Sequence, residues 1–149
     1  MKAATDRISF QMTNREINTE NRIFRAACDV FLLYGYHGTK LRQIAERADV
    51  NKAAIHYYFS SKEKLYEAVV GETLELVLNP DYGSSIGKVK LEKPMHFFCT
   101  ELYTNRDLFE SKLKHLYPEE WVIKLKKIER WLEIRENLHS FQLNEKNEI

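Results

Sequence analysis

Asn51, Lys52, Ala53 and His56 sit close together in one short stretch, NKAAIHYYF, of a chain of 149 residues. A lysine ammonium there can donate to guanine O6 and N7, and an asparagine can pair with adenine or with a phosphate. Ala53 has only a methyl, which suits close approach or contact with a thymine methyl. His56, one turn further on, can meet a phosphate or a base edge. Such side chains read sequence only if a scaffold holds them on one rigid, exposed face.

The preceding residues supply that scaffold. Residues 41–60, LRQIAERADVNKAAIHYYFS, read as two short helices joined by a tight turn. Ile44, Ala48, Val50, Ile55 and Tyr58 are the inward positions of two helices crossing steeply. Ala45 sits where the axes come closest. Asp49 occupies the turn, where the backbone needs a positive φ that Asp tolerates better than most residues. Asn51 is placed to cap the second helix by accepting an orphan backbone N–H. This is the layout of a helix-turn-helix, whose second helix enters the DNA major groove. Thr39, at the start of the first of the two helices, can present its hydroxyl and nearby backbone N–H groups to a phosphate, cap the helix, or do both. Lys40 and Arg42 either reach the DNA backbone or line a solvated face. Lys62, opening the following helix, is expected to pair with a phosphate.

The rest of the chain reads as helical. Ile23, Ala26, Ala27, Val30, Phe31 and Tyr34 follow the i, i+3, i+4, i+7 rule, predicting a first helix from Thr19 or Glu20 to Tyr34, ended by Gly35. The second runs from after Thr39 to Ala48, and the third from Lys52 to Phe59. The fourth begins at Ser60 or Ser61, where Ser60 and Glu63 fit a capping box, and ends at Leu78 before the loop Asn79–Ser85. Later helices are expected over Leu91–Thr104, Asp107–Leu116 and Pro118–Leu143. In the last of these Trp121, Leu125, Ile128, Leu132 and Ile134 form an apolar stripe, and residues 144–149 are read as frayed. Residues 1–18 read as a polar arm or extra turn, in which Lys2, Arg7 and Arg15 either touch DNA or stay solvated. No βαβ alternation or repeat appears, so the fold class is all-α, with a three-helix DNA-binding head and a short helical C-terminal part.

Composition bounds the function. With 44% hydrophobic and 30% charged residues the chain is globular. It carries no apolar run of membrane-spanning length and no signal-peptide core, so a cytoplasmic protein is expected. The formal net charge of +1 conceals an asymmetry: residues 1–64 hold 11 Lys/Arg against 7 Asp/Glu, the remainder 12 against 15. The basic half contains the helix-turn-helix, as an electrostatic DNA footprint should. Cys28 and Cys99 are too far apart to suggest a metal motif or disulfide framework, and Cys28 reads as a structural thiol. No catalytic constellation stands out and no G-x-S-x-G, P-loop, H-E-x-x-H or GxGxxG is present, so neither enzyme activity, nor a metal, nor a cofactor is expected.

Two segments, IFRAACDVFLLYGYHGT and LRQIAERADVNKAAIHYYFSSKEKLYEAV, resemble the TetR family of bacterial transcriptional regulators. The most specific part is the run of aromatics ending in Phe, followed by Ser-Lys-Glu-x-Leu. The resemblance implies a homodimer that binds a pseudo-palindromic operator in double-stranded DNA. It also implies a helical second domain that often holds a small-molecule pocket, so that effector binding releases the DNA. Tyr57 resembles the family tyrosine whose hydroxyl holds a phosphate. The chain departs from the family pattern at Asp49 and Ala53, where glycine is usual, and at His56, where tyrosine is common. The implied organisation is a DNA-binding domain over 1–64 (core 19–64, helix-turn-helix 41–60) and a ligand-binding or dimerisation domain over 65–149. The latter is short for the family, with 85 residues after position 64.

The second half is rich in aromatics. His96, Phe97, Tyr103 and Trp121 are candidates to line a pocket for a small apolar or aromatic effector; ordinary bundle core plus dimer interface is the other reading. The leading expectation is a homodimeric repressor released by an effector. The alternatives are a DNA-binding regulator without an effector and a helical protein-interaction module.

Overall fold

The computed structural model describes the backbone of residues 14–78 and 92–147, and the side chains of residues 17–78 and 92–134. The arm readings for Lys2, Arg7 and Arg15 and the loop Asn79–Ser85 lie outside the described residues. Seven helices and no strand are present among the described residues: α1 Asn14–Gly38, α2 Leu41–Ala48, α3 Lys52–Phe59, α4 Lys62–Leu78, α5 Glu92–Thr104, α6 Arg106–Leu116 and α7 Trp121–Asn147. The protein is all-α. Its contacts divide it into two compact units, one ending at Val69 and the other starting at Val70. None of the described helices is long and apolar enough to cross a membrane.

The N-terminal unit is built around apolar faces with helical spacing. Ile23, Ala26, Ala27, Val30 and Phe31 of α1 are buried, as are Ile44, Ala45 and Ala48 of α2, Ile55 of α3, and Leu65, Tyr66 and Val69 of α4. Tyr34, expected on that apolar face, is instead exposed. The reason is the break beside it: Gly35 has φ 73°, ψ 179°, so the helix axis changes there although helical hydrogen bonding resumes to Gly38. Gly35 thus interrupts the helix as its conformational freedom allows. A side chain at Gly38 would begin 3.2 Å from the Tyr34 Cβ, so the turn also depends on a small residue there.

Helix α2 ends at Asp49 in the left-handed conformation, φ 56°, ψ 50°, the geometry expected of that position. The Val50 amide reaches back to the Ala45 carbonyl at 3.0 Å, which satisfies an orphan acceptor as in a Schellman-type stop. Asn51 caps α3, its Oδ1 accepting from the Ala54 amide at 3.0 Å. The cap of α4 is Ser61, whose Oγ accepts from the Lys64 amide at 3.1 Å. Ser60 was the other candidate, but it ends α3 with φ 70° and its amide donates to the His56 carbonyl.

The C-terminal unit has an aromatic core. Phe97, Phe98, Phe109, Leu113 and Ile128 are fully buried, and the Phe98 ring meets Phe109 at 5.8 Å and Trp131 at 6.4 Å, both edge-on. Ile134, assigned by periodicity to the buried stripe of α7, is half exposed. Helix α7 starts at Trp121 because Pro118, Glu119 and Glu120 form a turn, and it continues through residues 144–147, which were expected to fray. Arg106 ties α6 to α7 by pairing with Glu110 and Glu129. The Tyr117 hydroxyl donates to Glu75 Oε1 at 2.7 Å.

Two stability tests follow from these features. Asp49→Gly removes the steric cost of a left-handed L-residue, so the urea midpoint of the N-terminal unit should rise by the equivalent of roughly 1 kcal/mol. Burial, and then the hydrogen bond to Glu75, hold the Tyr117 phenol well above its ordinary value of 10.0. A raised folded-state value means that this stability is complete below pH ~10 and is lost as pH rises beyond it. Urea titrations between about pH 8 and 11 should therefore show a fall in wild type that is shallower in Tyr117→Phe.

Candidate nucleic-acid interface

The candidate reading face is the outer side of α3. Eight residues give only two turns, too few for a stable isolated helix, so packing must hold α3 in place. Ile55 is fully buried and supplies that anchor. Tyr58 and Phe59 are half-buried, and the Phe59 ring stacks on Phe24 of α1 at 6.5 Å. With Ile55 turned inward, Lys52, Ala53, His56 and Tyr57 share the opposite, exposed face at i, i+1, i+4 and i+5. Tyr57 is 76% exposed and braced edge-on by Tyr58 at 4.9 Å, so a large aromatic with a hydroxyl stands in solvent.

Hydrogen bonds within the face limit what each group can do. Asn51 Oδ1 is committed to its cap, which leaves the amide NH2 as its outward donor. The His56 Nδ1 lies 3.2 Å from the Ser60 carbonyl oxygen, which can only accept. Nδ1 therefore carries the proton, and in the neutral ring Nε2 is left as an acceptor suited to an exocyclic amine on a base edge.

The flanking residues divide into two kinds. Lys40 is exposed beside α2, its backbone amide closing on Gln43 Oε1 at 2.8 Å. Arg42 is exposed and pairs with Glu46 at 3.1 Å; an exposed pair of this kind is worth little, so Arg42 can exchange it for a phosphate at small cost. Thr39 behaves otherwise. It is buried, its hydroxyl donates to the Gly35 carbonyl at 2.7 Å, and Lys40 occupies the N-cap position of α2. The hydroxyl bridges the α1 break and does not cap α2. Lys62 is half-buried with Nζ 4.2 Å from the centre of the Tyr36 ring. Tyr36 in turn packs edge-on against Tyr66 at 4.9 Å, and burial followed by the Glu63 carboxylate raises its phenol above the usual value. Tyr36 was missed in the sequence because its only signal was a place between two glycines.

The four pocket candidates differ widely in burial. Phe97 is fully buried in core, its neighbour His96 faces solvent, and Tyr103 is 94% exposed. Trp121 is half-buried with Lys114 Nζ 4.6 Å from its ring centre. Phe97 and His96 are adjacent on one helix and so point about 100° apart, which a list of aromatic residues conceals. Among the described residues no group of three metal-ligating side chains occurs.

Residues 23–69 match the family described as bacterial regulatory proteins, tetR family. The chain is 52% identical over 58 residues to the HTH-type transcriptional regulator RutR of Escherichia coli K12, covering 39% of this chain and 27% of that protein. It is 42% identical over 60 residues to the probable HTH-type transcriptional regulator YttP of Bacillus subtilis, covering 40% of this chain and 29% of the relative. The chain thus spans under a third of the length of these curated relatives. A crystal structure of a HlyIIR mutant protein superposes with a TM-score of 0.52 at 25% identity, covering 80% of this chain and 73% of that one. Over residues 23–69, within its N-terminal unit, this chain is thus similar to the bacterial regulatory proteins of the tetR family.

Proposed function

We propose that the chain is a sequence-specific DNA-binding transcriptional regulator, acting as a homodimeric repressor on a pseudo-palindromic operator and released by a small-molecule effector. The observation that carries the DNA reading is the exposed α3 face, Lys52, Ala53, His56 and Tyr57, held outward by buried Ile55. Lys52 donates to guanine, Ala53 lets the helix approach, and Tyr57 holds a phosphate. In a dimer, two such faces would read half-sites about 34–36 Å apart. A regulator without an effector is the second reading. It is favoured by the unequal burial of His96, Phe97, Tyr103 and Trp121, and thermal shifts against a metabolite library separate the two.

The deciding experiment is fluorescence anisotropy of the chain on DNA from upstream of its own gene, against a scrambled duplex. Preference of at least ~10³-fold is expected. Equal, strongly salt-dependent binding to both would overturn the sequence-specific reading. In the same assay Lys52→Ala should cost about 1–3 kcal/mol on the upstream DNA and relax its preference, whereas Lys62→Ala should weaken both duplexes alike.

A further inference from the structure

Three arginines of the described residues are paired: Arg42 with Glu46, Arg47 with Asp29, and Arg106 with Glu110 and Glu129. Arg22 and Arg25 of α1 are exposed and have no such partner among the described residues. Arg22 has no carboxylate three or four residues away in either direction, and Asp29, one turn after Arg25, is taken by Arg47 at 3.0 Å. With Asn18, Thr19 and Asn21 they line an open concavity of about 700 Å³, which has no acidic residue among its described lining residues. Two unneutralised guanidinium groups on one side of a helix repel each other, so the arrangement is stabilised when an anion enters.

The neighbours of this stretch say which anion. Phe24, on another face of α1, stacks on Phe59 at the end of α3, and Asp29, on the same side of α1 as the two arginines, holds Arg47 of α2. The concavity therefore lies along a helix that touches both members of the helix-turn-helix. We propose that Asn18, Asn21, Arg22 and Arg25 form a second DNA contact, gripping the sugar-phosphate backbone beside the segment read by α3. The inference rests on the DNA-binding reading above. From Asn18 to Arg25 the helix rises about 10 Å, close to three nucleotides of one strand at roughly 3.4 Å each. Guanidinium forks match phosphate oxygens, and asparagine amides add donors that read no bases.

Anisotropy titrations at several salt concentrations test this with wild type, Arg22→Ala/Arg25→Ala and Arg22→Lys/Arg25→Lys, on the upstream and scrambled duplexes. The alanine pair should lose roughly a hundredfold in affinity at low salt on both duplexes and keep the wild-type preference ratio. Its log K against log salt should be shallower by about 2, the loss of two phosphate contacts, while the lysine pair keeps the wild-type slope. Wild-type affinity and slope in the alanine pair would overturn the inference, as would a changed preference ratio at unchanged slope. Wild type binding both duplexes equally sinks only sequence specificity, since the slope still reports the α1 contact. Wild type binding neither removes the DNA reading and this inference together. Both arginines are exposed, so circular dichroism should show unchanged folding.

Discussion

Burial of Ile55 is the constraint on which the exposed face of α3 and the elements around it depend. An eight-residue helix cannot hold its own orientation, so the rotation of α3 is set by the one side chain that enters the core completely. Everything outward on α3 follows from that rotation. The small residues Ala45 and Ala48 let α2 lie close enough for Ile44 and Ile55 to share the same core. Asp49 turns the chain between the two helices, accepting a left-handed backbone to do so. Asn51 then starts α3 at a defined residue. Four local devices thus converge on one result, a donor-rich face in solvent.

Around that face, polar groups are divided between structure and ligand. Thr39 and Lys62 look like phosphate ligands in the sequence, yet the fold places one hydroxyl across the α1 break and one ammonium over the Tyr36 ring. Tyr36, Tyr66 and Phe31 form the aromatic cluster that makes the second of these positions possible. A cation over a ring is held in place, so the Lys62 contact orients that side chain. Arg42 and Arg47 are the opposite case, exposed and paired, and surface pairs yield readily to a polyanion.

The C-terminal unit shows why aromatic richness is a poor guide to a binding pocket. Phe97, Phe98, Phe109 and Trp131 stack on one another, and this aromatic contact is the core. Tyr103 and His96 lie outside it altogether. Lys114 and Lys124 lie over the Trp121 and Tyr117 rings, so these two aromatic faces are met by cations of the chain itself.

The amino-acid sequence by itself determined the helical class, the limits of α2 and α3, the left-handed residue at Asp49, the cap at Asn51 and the inward set Ile44, Ala45, Ala48 and Ile55. All of these rest on interactions within a few residues, whose spacing the sequence displays directly. What only the tertiary structure decided were pairings between distant residues: Thr39 with the Gly35 break, Lys62 with Tyr36, Asp29 with Arg47, and the unequal burial of His96, Phe97, Tyr103 and Trp121. The outward turn of Tyr34 and Ile134 belongs with them, because periodicity names a helix face but not whether another helix covers it. Arg22 and Arg25 make the same point from the other side. Their charge was plain in the sequence, but the commitment of Asp29 to Arg47, which takes from Arg25 the carboxylate one turn away, exists only once α1 and α2 meet.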